Sequence, residues 1–338
     1  MHQAKTFEVV AEETGLRLDR WFKRRFPELV HGRLEKLLRT GQVRVDGGRV
    51  KAGFRLDAGQ QVRVPPLLKD LREGAQQRPL LAPRITEADK NMLRSAVLHM
   101  DDALIVINKP PGLAVQGGSR TSRHVDGMLD ALRFDCPERP RLVHRLDRDT
   151  SGVLLLARNA TAANKLGQAF RGHTARKTYW ALTAGVPRPH IGRIQAPLAK
   201  LGGDAGTEWE ARERVSAVAP DDPRGRSADT LYKVIEAAGQ SVAWVAFMPL
   251  TGRTHQIRAH AALIGTPIAG DRKYGGEAAT VHGVSSKLHL HARSISIPHP
   301  NGGILSVSAP LPAHMLETWK FFEFNPELSG DPFAEWES

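Results

Sequence analysis

Between residues 104 and 307 the chain carries six apolar, β-prone runs, at 104–107, 153–157, 179–182, 242–247, 288–297 and 304–307, each bounded by Gly/Pro breaks. Helical patterns over this part are fewer: 125–132, with Val125, Met128, Leu129 and Leu132 on one face, then 162–170 closed by Gly172, 254–264 and 312–322. Strands that outnumber helices, and do not alternate with them, exclude a doubly wound parallel sheet. The spacing predicts an α+β domain built on a mixed or antiparallel β-sheet. Residues 200–228, rich in Gly, Asp and Arg, read as a surface insertion, and those from Pro326 onward as a poorly ordered acidic tail.

A smaller unit precedes this domain. Leu18, Trp21, Phe22 and Phe26 fall at helical spacing with Asp19 near the start, and Pro27 ends the run. A second helix uses Leu34, Leu37 and Leu38, with Gly41 where a C′ residue belongs. Val43 and Val45 then alternate into an Asp46-Gly47 hairpin signal, and Val62 and Val64 form a later strand. Two short helices and a hairpin under a basic surface (Arg20, Arg24, Arg33, Lys36 and Arg39 among others) resemble the S4 RNA-binding fold, a small α/β module. Residues 66–95 mix Pro, Lys, Arg, Glu and Gln without sustained periodicity and read as a linker. The expected division is 1–65, linker 66–95, a catalytic domain over 96–325 and a tail over 326–338.

Charge narrows the partners. Lys and Arg number 48 against 36 Asp and Glu, a net +12, which calls for a polyanion, either nucleic acid or an anionic membrane. The single cysteine, Cys136, excludes an internal disulfide and a cysteine zinc site. With no signal peptide and no run of about 18 apolar residues, a cytoplasmic protein off the membrane is expected, a monomer by default. Fourteen histidines invite a metal, but His255 and His260 are five apart, which misses the spacing of a zinc helix, and His289 and His291 lack an acidic or cysteine partner nearby. The Gly117-Gly118 pair fits neither nucleotide-binding loop.

Three segments carry the chemistry. In Arg141-Leu142-Val143-His144-Arg145-Leu146-Asp147-Arg148-Asp149-Thr150-Ser151-Gly152, two carboxylates sit among three arginines. A carboxylate beside guanidinium groups stays ionised at neutral pH, which suits a nucleophile or base. An ion-pair cluster that pins a loop is the competing reading. In Thr251-Gly252-Arg253-Thr254-His255-Gln256-Ile257-Arg258-Ala259-His260, Thr254 is the expected N-cap. Arg258 then falls in the first turn, where the helix dipole disfavours a cation, so it needs an anionic partner: Asp147 or an RNA phosphate. In Lys177-Thr178-Tyr179-Trp180, Lys177 and Tyr179 share one strand face, a stacking platform for a base next to its phosphate unless Tyr179 is simply core.

These segments, in this order after Val106-Ile107-Asn108-Lys109-Pro110-Pro111-Gly112-Leu113 and before Gly270-Asp271, resemble the motifs of the RluA-type pseudouridine synthases over nearly all of residues 100–315. The S4-like head further resembles the RluC/RluD branch, which modifies 23S ribosomal RNA, and Leu113–Gly118 with Asp126-Gly127-Met128-Leu129 looks most like the RluC type. The resemblance implies that Asp147 is the essential aspartate and that Arg145 helps displace the uridine from its stack. Tyr179 would pack against the base, Lys177 would serve substrate binding beside it, Arg258 would pair with Asp147, and Ile257 would line the base pocket. Arg148 stands where Lys is commoner, which keeps the charge. No metal or organic cofactor is implied.

The implied reaction breaks the N1–C1′ bond, turns the base and joins C5 to C1′, so composition is conserved and no redox agent or energy donor is needed. An ionised Asp147 would attack C1′ or take the C2′ proton. The uridine must first leave its stack, at a cost of about a few kcal/mol. A non-catalytic RNA-binding protein is the rival reading, but it needs no ionised aspartate beside a polyanion. A glycoside or nucleoside hydrolase needs two carboxylates flanking the bond, and Asp149 lies beside Asp147 on one short loop.

Overall fold

A computed structural model describes residues 4–29, 31–66, 85–117, 121, 123–200, 214–327 and 330–337. The chain divides into two compact units, Met1–Ala82 and Pro83–Ser338.

In the first unit, helices α1 (Leu18–Arg25) and α2 (His31–Arg39) pack on a three-stranded antiparallel sheet. Its strands are β1 (Lys5–Glu8), β2 (Arg44–Val45) and β3 (Gln61–Val64), in the order β1-β3-β2. Trp21, Phe22, Leu37, Val43 and Val62 are each at most 1% exposed and form its core. Gly41 closes α2 as expected: at φ 69° it sends its N–H to the Leu38 carbonyl, and Gln42 bonds back to Leu37. Asp46 and Gly47 both take positive φ, the turn expected of them, yet the hairpin is one bridge long (Val45 to Gly48) and β2 pairs chiefly with β3.

The second unit holds a ten-stranded mixed sheet. Its spine runs β4 (Val97–Met100), β5 (Leu104–Lys109), β7 (Ser151–Ala157), β14 (Leu290–Pro298), β8 (Arg176–Ala184), β13 (Val242–Pro249), β12 (Asp229–Ala238) and β9 (Ile191–Gln195). Strand β6 (Arg141–Leu142) pairs with β7, and β15 (Ile304–Ser308) with β14. Among the described residues, the β7–β14 ladder is the one parallel pairing between strands of this sheet. Strands β7 and β13 are buried along their whole length, which is why they read as unbroken apolar runs and not as alternation. Strand β12 escapes sequence reading because Lys233 and Glu236 interrupt it and it carries a bulge between Val234 and Glu236. No helix among the described residues is long and apolar enough to cross a membrane.

Two expected boundaries are corrected. Part of the 66–95 linker, 67–84, lies outside the described residues, but its end is helix α3 (Glu87–Ser95) of the second unit. Thr86 and Asp89 cap it reciprocally and Leu93 is fully buried; two adjacent apolar residues were too few to show a period. The 326–338 tail is also not loose where described. Phe333 is fully buried against the Trp244–Trp319–Phe324 cluster, and Asp331 pairs with Arg176 at 2.6 Å. The acidic composition hid that aromatic anchor. Of the 200–228 insertion, 201–213 lies outside the described residues, and β11 (Val215–Ala217) returns to pair with β10 (Leu198–Lys200).

His289, just ahead of β14, and His291 within it are fully buried, and burial pushes each down to about 4 from 6.5. The unfolded chain takes up these protons as pH falls through about 6.5, the folded chain only near 4. Stability is therefore full above the first value and drains away between the two. At about 1.4 kcal/mol per unit, each ring accounts for a loss of at most about 3 kcal/mol. Urea midpoints at about pH 7 and about pH 4.5 should differ accordingly. Equal midpoints would mean that the buried rings protonate as readily as free ones.

Candidate active site

The loop between β6 and β7 is fastened from several sides, which fixes where its side chains point. Leu146 is buried in the core with Leu113 and Val115, while its neighbours Arg145 and Arg148 stay exposed. At the loop's end Gly152, at φ 108°, lies so close to β14 that a Cβ would meet the Ala292 carbonyl oxygen at 2.2 Å. Only glycine allows this approach. Ser151 Oγ and His291 Nδ1, 2.8 Å apart, reinforce the same junction. His144 accepts the Leu155 N–H through Nε2 at 2.9 Å and stacks on Phe170, its ring held neutral because burial pushes it down to about 3.

Lys109 is the fastener sequence reading passed over. Fully buried at the end of β5, its Nζ donates to the carbonyls of Pro110 (2.8 Å), Leu113 (2.8 Å) and Arg148 (2.9 Å). Burial pulls it down to about 7 while Asp149 and Asp147 oppose, and the three carbonyls favour its ammonium form. One cation thus ties the Pro110–Gly112 turn to the residue after Asp147. Lys109→Met is expected to lower single-turnover rate by roughly 10- to 100-fold, because small misplacements of reacting groups cost that much. A rate within about twofold of wild type would show that the loop holds its shape without the ammonium.

The second segment forms the opposite wall. Helix α4 (Gln256–Leu263) begins two residues later than expected, and its N-cap is His255, not Thr254. Thr254 is displaced from that role because the Gln256 amide oxygen accepts the Arg253 N–H (3.0 Å) and the Thr251 hydroxyl (2.8 Å). Gln256 Nε2 donates onward to the Asp229 carbonyl and Thr230, tying the wall to β12. Arg258 sits in the first turn as expected, and its main anionic partner is Asp271. Its Nε and Nη2 donate to the two carboxylate oxygens at 2.7 and 2.8 Å. Asp271 is 1% exposed and follows Gly270, where a Cβ would meet the Lys287 carbonyl oxygen at 2.1 Å. Burial would pull the Arg258 guanidinium down, but Asp271 holds it above its ordinary range. The bidentate grip leaves Nη1 free to face Asp147 Oδ2, 3.7 Å away.

A groove of about 540 Å³ results, and all six residues expected to act on substrate line it: Asp147, Arg145, Lys177, Tyr179, Ile257 and Arg258. Asp147 is 25% exposed in it, and among the described residues neither of its oxygens accepts a hydrogen bond. Oδ1 faces His255 Nε2 at 3.8 Å and Oδ2 faces Arg258. Tyr179 projects from β8 toward the carboxylate; burial, then the Asp147 charge, pushes its hydroxyl well up, so it stays a neutral ring. Lys177, on the same face, is pulled down by burial. The arrangement places one carboxylate, Asp147, in a groove that Arg145, Lys177, Arg253 and Arg258 also line, together with the Tyr179 ring.

Known proteins share this construction. Residues 103–263 match the family model described as RNA pseudouridylate synthase. Human RNA pseudouridylate synthase domain containing 4 superposes with a TM-score of 0.57 at 28% identity, covering 69% of this chain and 95% of that one. The mixed sheet is that of an RNA pseudouridine synthase. Ribosomal large subunit pseudouridine synthase C of Vibrio cholerae is 35% identical over 93% of this chain and 95% of the relative, and that of Escherichia coli K12 36% over 91% and 93%. The protein belongs to the RluA family of pseudouridine synthases, in the RluC branch.

Proposed function

We propose that this enzyme converts uridines of large-subunit (23S) ribosomal RNA to pseudouridine in the cytoplasm, with Asp147 as its catalytic carboxylate. The observation that carries the reading is the convergence of Asp147, Tyr179, Ile257 and Arg258 from separate elements on one open groove. Arg145, exposed on the rim, takes the space a displaced uridine leaves in its stack, while Tyr179 and Ile257 pack on the extruded base. Asp147 then attacks C1′ or removes the C2′ proton, and C5 of the turned base rejoins C1′. A pure RNA-binding protein has no use for a carboxylate held without hydrogen bonds inside a basic cleft, since it would repel phosphate. Mapping pseudouridines across ribosomal RNA of a strain lacking the gene tests this. Sites in 23S RNA should disappear and return with the wild-type gene; an unchanged map would overturn the assignment.

The first unit serves as an S4-like RNA-binding module. Arg20, Arg24, Lys36 and Arg39 are exposed on α1 and α2, with Arg33 half-buried between them. Arg17 and Arg25 contribute less, being paired with Asp19 (2.7 Å) and Glu13 (3.1 Å). Replacing Arg20, Arg24, Lys36 and Arg39 together by Gln should weaken ribosomal RNA binding and lower the slope of log affinity against log salt by up to about 3. An unchanged slope would take those cations off the RNA.

A further inference from the structure

His255 stands in a left-handed backbone conformation, φ 53° and ψ 21°, at the N-cap of α4. Non-glycine residues seldom adopt it, and such strain persists where the surroundings over-determine it. Here it aims an imidazole between two defined partners. Nδ1 lies 2.8 Å from the Tyr274 hydroxyl, and Nε2 lies 3.8 Å from Asp147 Oδ1.

The hydroxyl decides which nitrogen carries the proton. Tyr274 Oη accepts the backbone N–H of Val215 at 3.2 Å, and burial first of all pushes it up to about 12, so it keeps its own proton. With the Val215 N–H already on that oxygen, a hydroxyl proton turned toward Nδ1 puts the ring's own N–H on Nε2, facing the carboxylate. The imidazole itself is neutral. Burial lowers it, Arg258 and Lys273 add to the lowering, and Asp147 and Asp271 oppose. Tyr274 also lies under the second partner of Asp147, with the Arg258 guanidinium 5.0 Å from its ring centre. One tyrosine therefore braces both groups that flank the carboxylate.

We propose that His255 is a positioning residue for Asp147, its Nε2–H holding Oδ1 while Arg258 Nη1 holds Oδ2, with Tyr274 fixing the tautomer that makes the ring a donor. The proposal rests on Asp147 being the reacting carboxylate. Each oxygen then has its own donor, one neutral and one charged, and the plane of the carboxylate is set relative to the sugar. Both contacts are longer than hydrogen bonds here, 3.7 and 3.8 Å, and contract as the ribose settles against the carboxylate.

Steady-state and single-turnover kinetics on a 23S RNA fragment containing a target uridine test this, with circular dichroism confirming the fold of each variant. His255→Leu should lower kcat by roughly 10- to 100-fold with KM within about threefold. His255→Gln, whose amide N–H can replace Nε2–H, should recover most of that loss. Tyr274→Phe keeps the ring beneath Arg258 but frees the tautomer, so it should cost about tenfold in the wild-type background and nothing further in His255→Leu. The proposal is overturned if His255→Leu keeps kcat within about twofold, if Gln recovers nothing, or if Tyr274→Phe costs the same factor in both backgrounds. Should His255→Leu fail to fold, Tyr274→Phe in the wild-type and His255→Gln backgrounds decides by the same non-additivity. An Asp147→Asn enzyme that still turns over would instead remove the reading beneath the proposal, whatever the histidine variants do.

Discussion

Asp147→Asn is expected to lower the single-turnover rate at least about 10⁴-fold while leaving RNA affinity within a few-fold, the pattern for loss of a group that acts on the reacting bond alone. The amide has the shape of the carboxylate and stays in the same loop, because what holds that loop is Leu146 in the core and the Lys109 ammonium on the Arg148 carbonyl. What changes is the chemistry. A neutral amide neither displaces the base at C1′ nor accepts the C2′ proton. Binding should survive, because the proposed phosphate contacts come from cations and removal of a negative charge cannot weaken a polyanion's hold. Filter binding and a pseudouridine-specific readout on the same RNA separate the two effects. Conversion at the wild-type rate would mean that another group does the work.

Much of this site was legible in the sequence because its residues are consecutive. The stretch from His144 to Gly152 and that from Thr251 to His260 each sit on one loop or helix end, so polar density marks them. The sequence places Arg258 in a first turn and calls for an anionic partner, and the structure has both. The expected pairing with Asp147 is present at 3.7 Å, but the closer partner, Asp271, is not legible, since it lies 13 residues on and meets Arg258 only after the chain passes through the Gly270 turn. Tyr274 and Lys109 were illegible for a related reason. A tyrosine on a loop and a lysine before two prolines carry no period, and their roles come from carbonyls and rings brought together by the sheet. The fold class was readable from strand runs because β7 and β13 are buried on both faces. Helix α3 and Phe333 were missed because each buries only one or two side chains.

Removing one partner of the buried Arg258–Asp271 pair should strongly destabilise the second unit. Arg258 is 8% exposed and Asp271 1%, so Asp271→Ala leaves a guanidinium buried with Asp147 as its remaining anion, 3.7 Å away across open groove. Breaking such a pair by removing one partner costs about 3–5 kcal/mol, because the surviving charge keeps its desolvation penalty. The backbone N–H groups of Lys273 and Tyr274 also lose Asp271 Oδ1 as acceptor. Against a total of about 5–15 kcal/mol, the melting transition should fall by about 10 °C. Activity should fall with it for a separate reason: a guanidinium no longer gripped through Nε and Nη2 can swing onto Asp147 and quench it. The double variant Asp271→Leu with Arg258→Met separates the two, since removing both charges together is close to neutral for stability. It should melt near wild type and remain inactive. Calorimetry on the three proteins gives the answer, and an Asp271→Ala protein as stable as wild type would mean that the buried guanidinium finds another anion or water in its place.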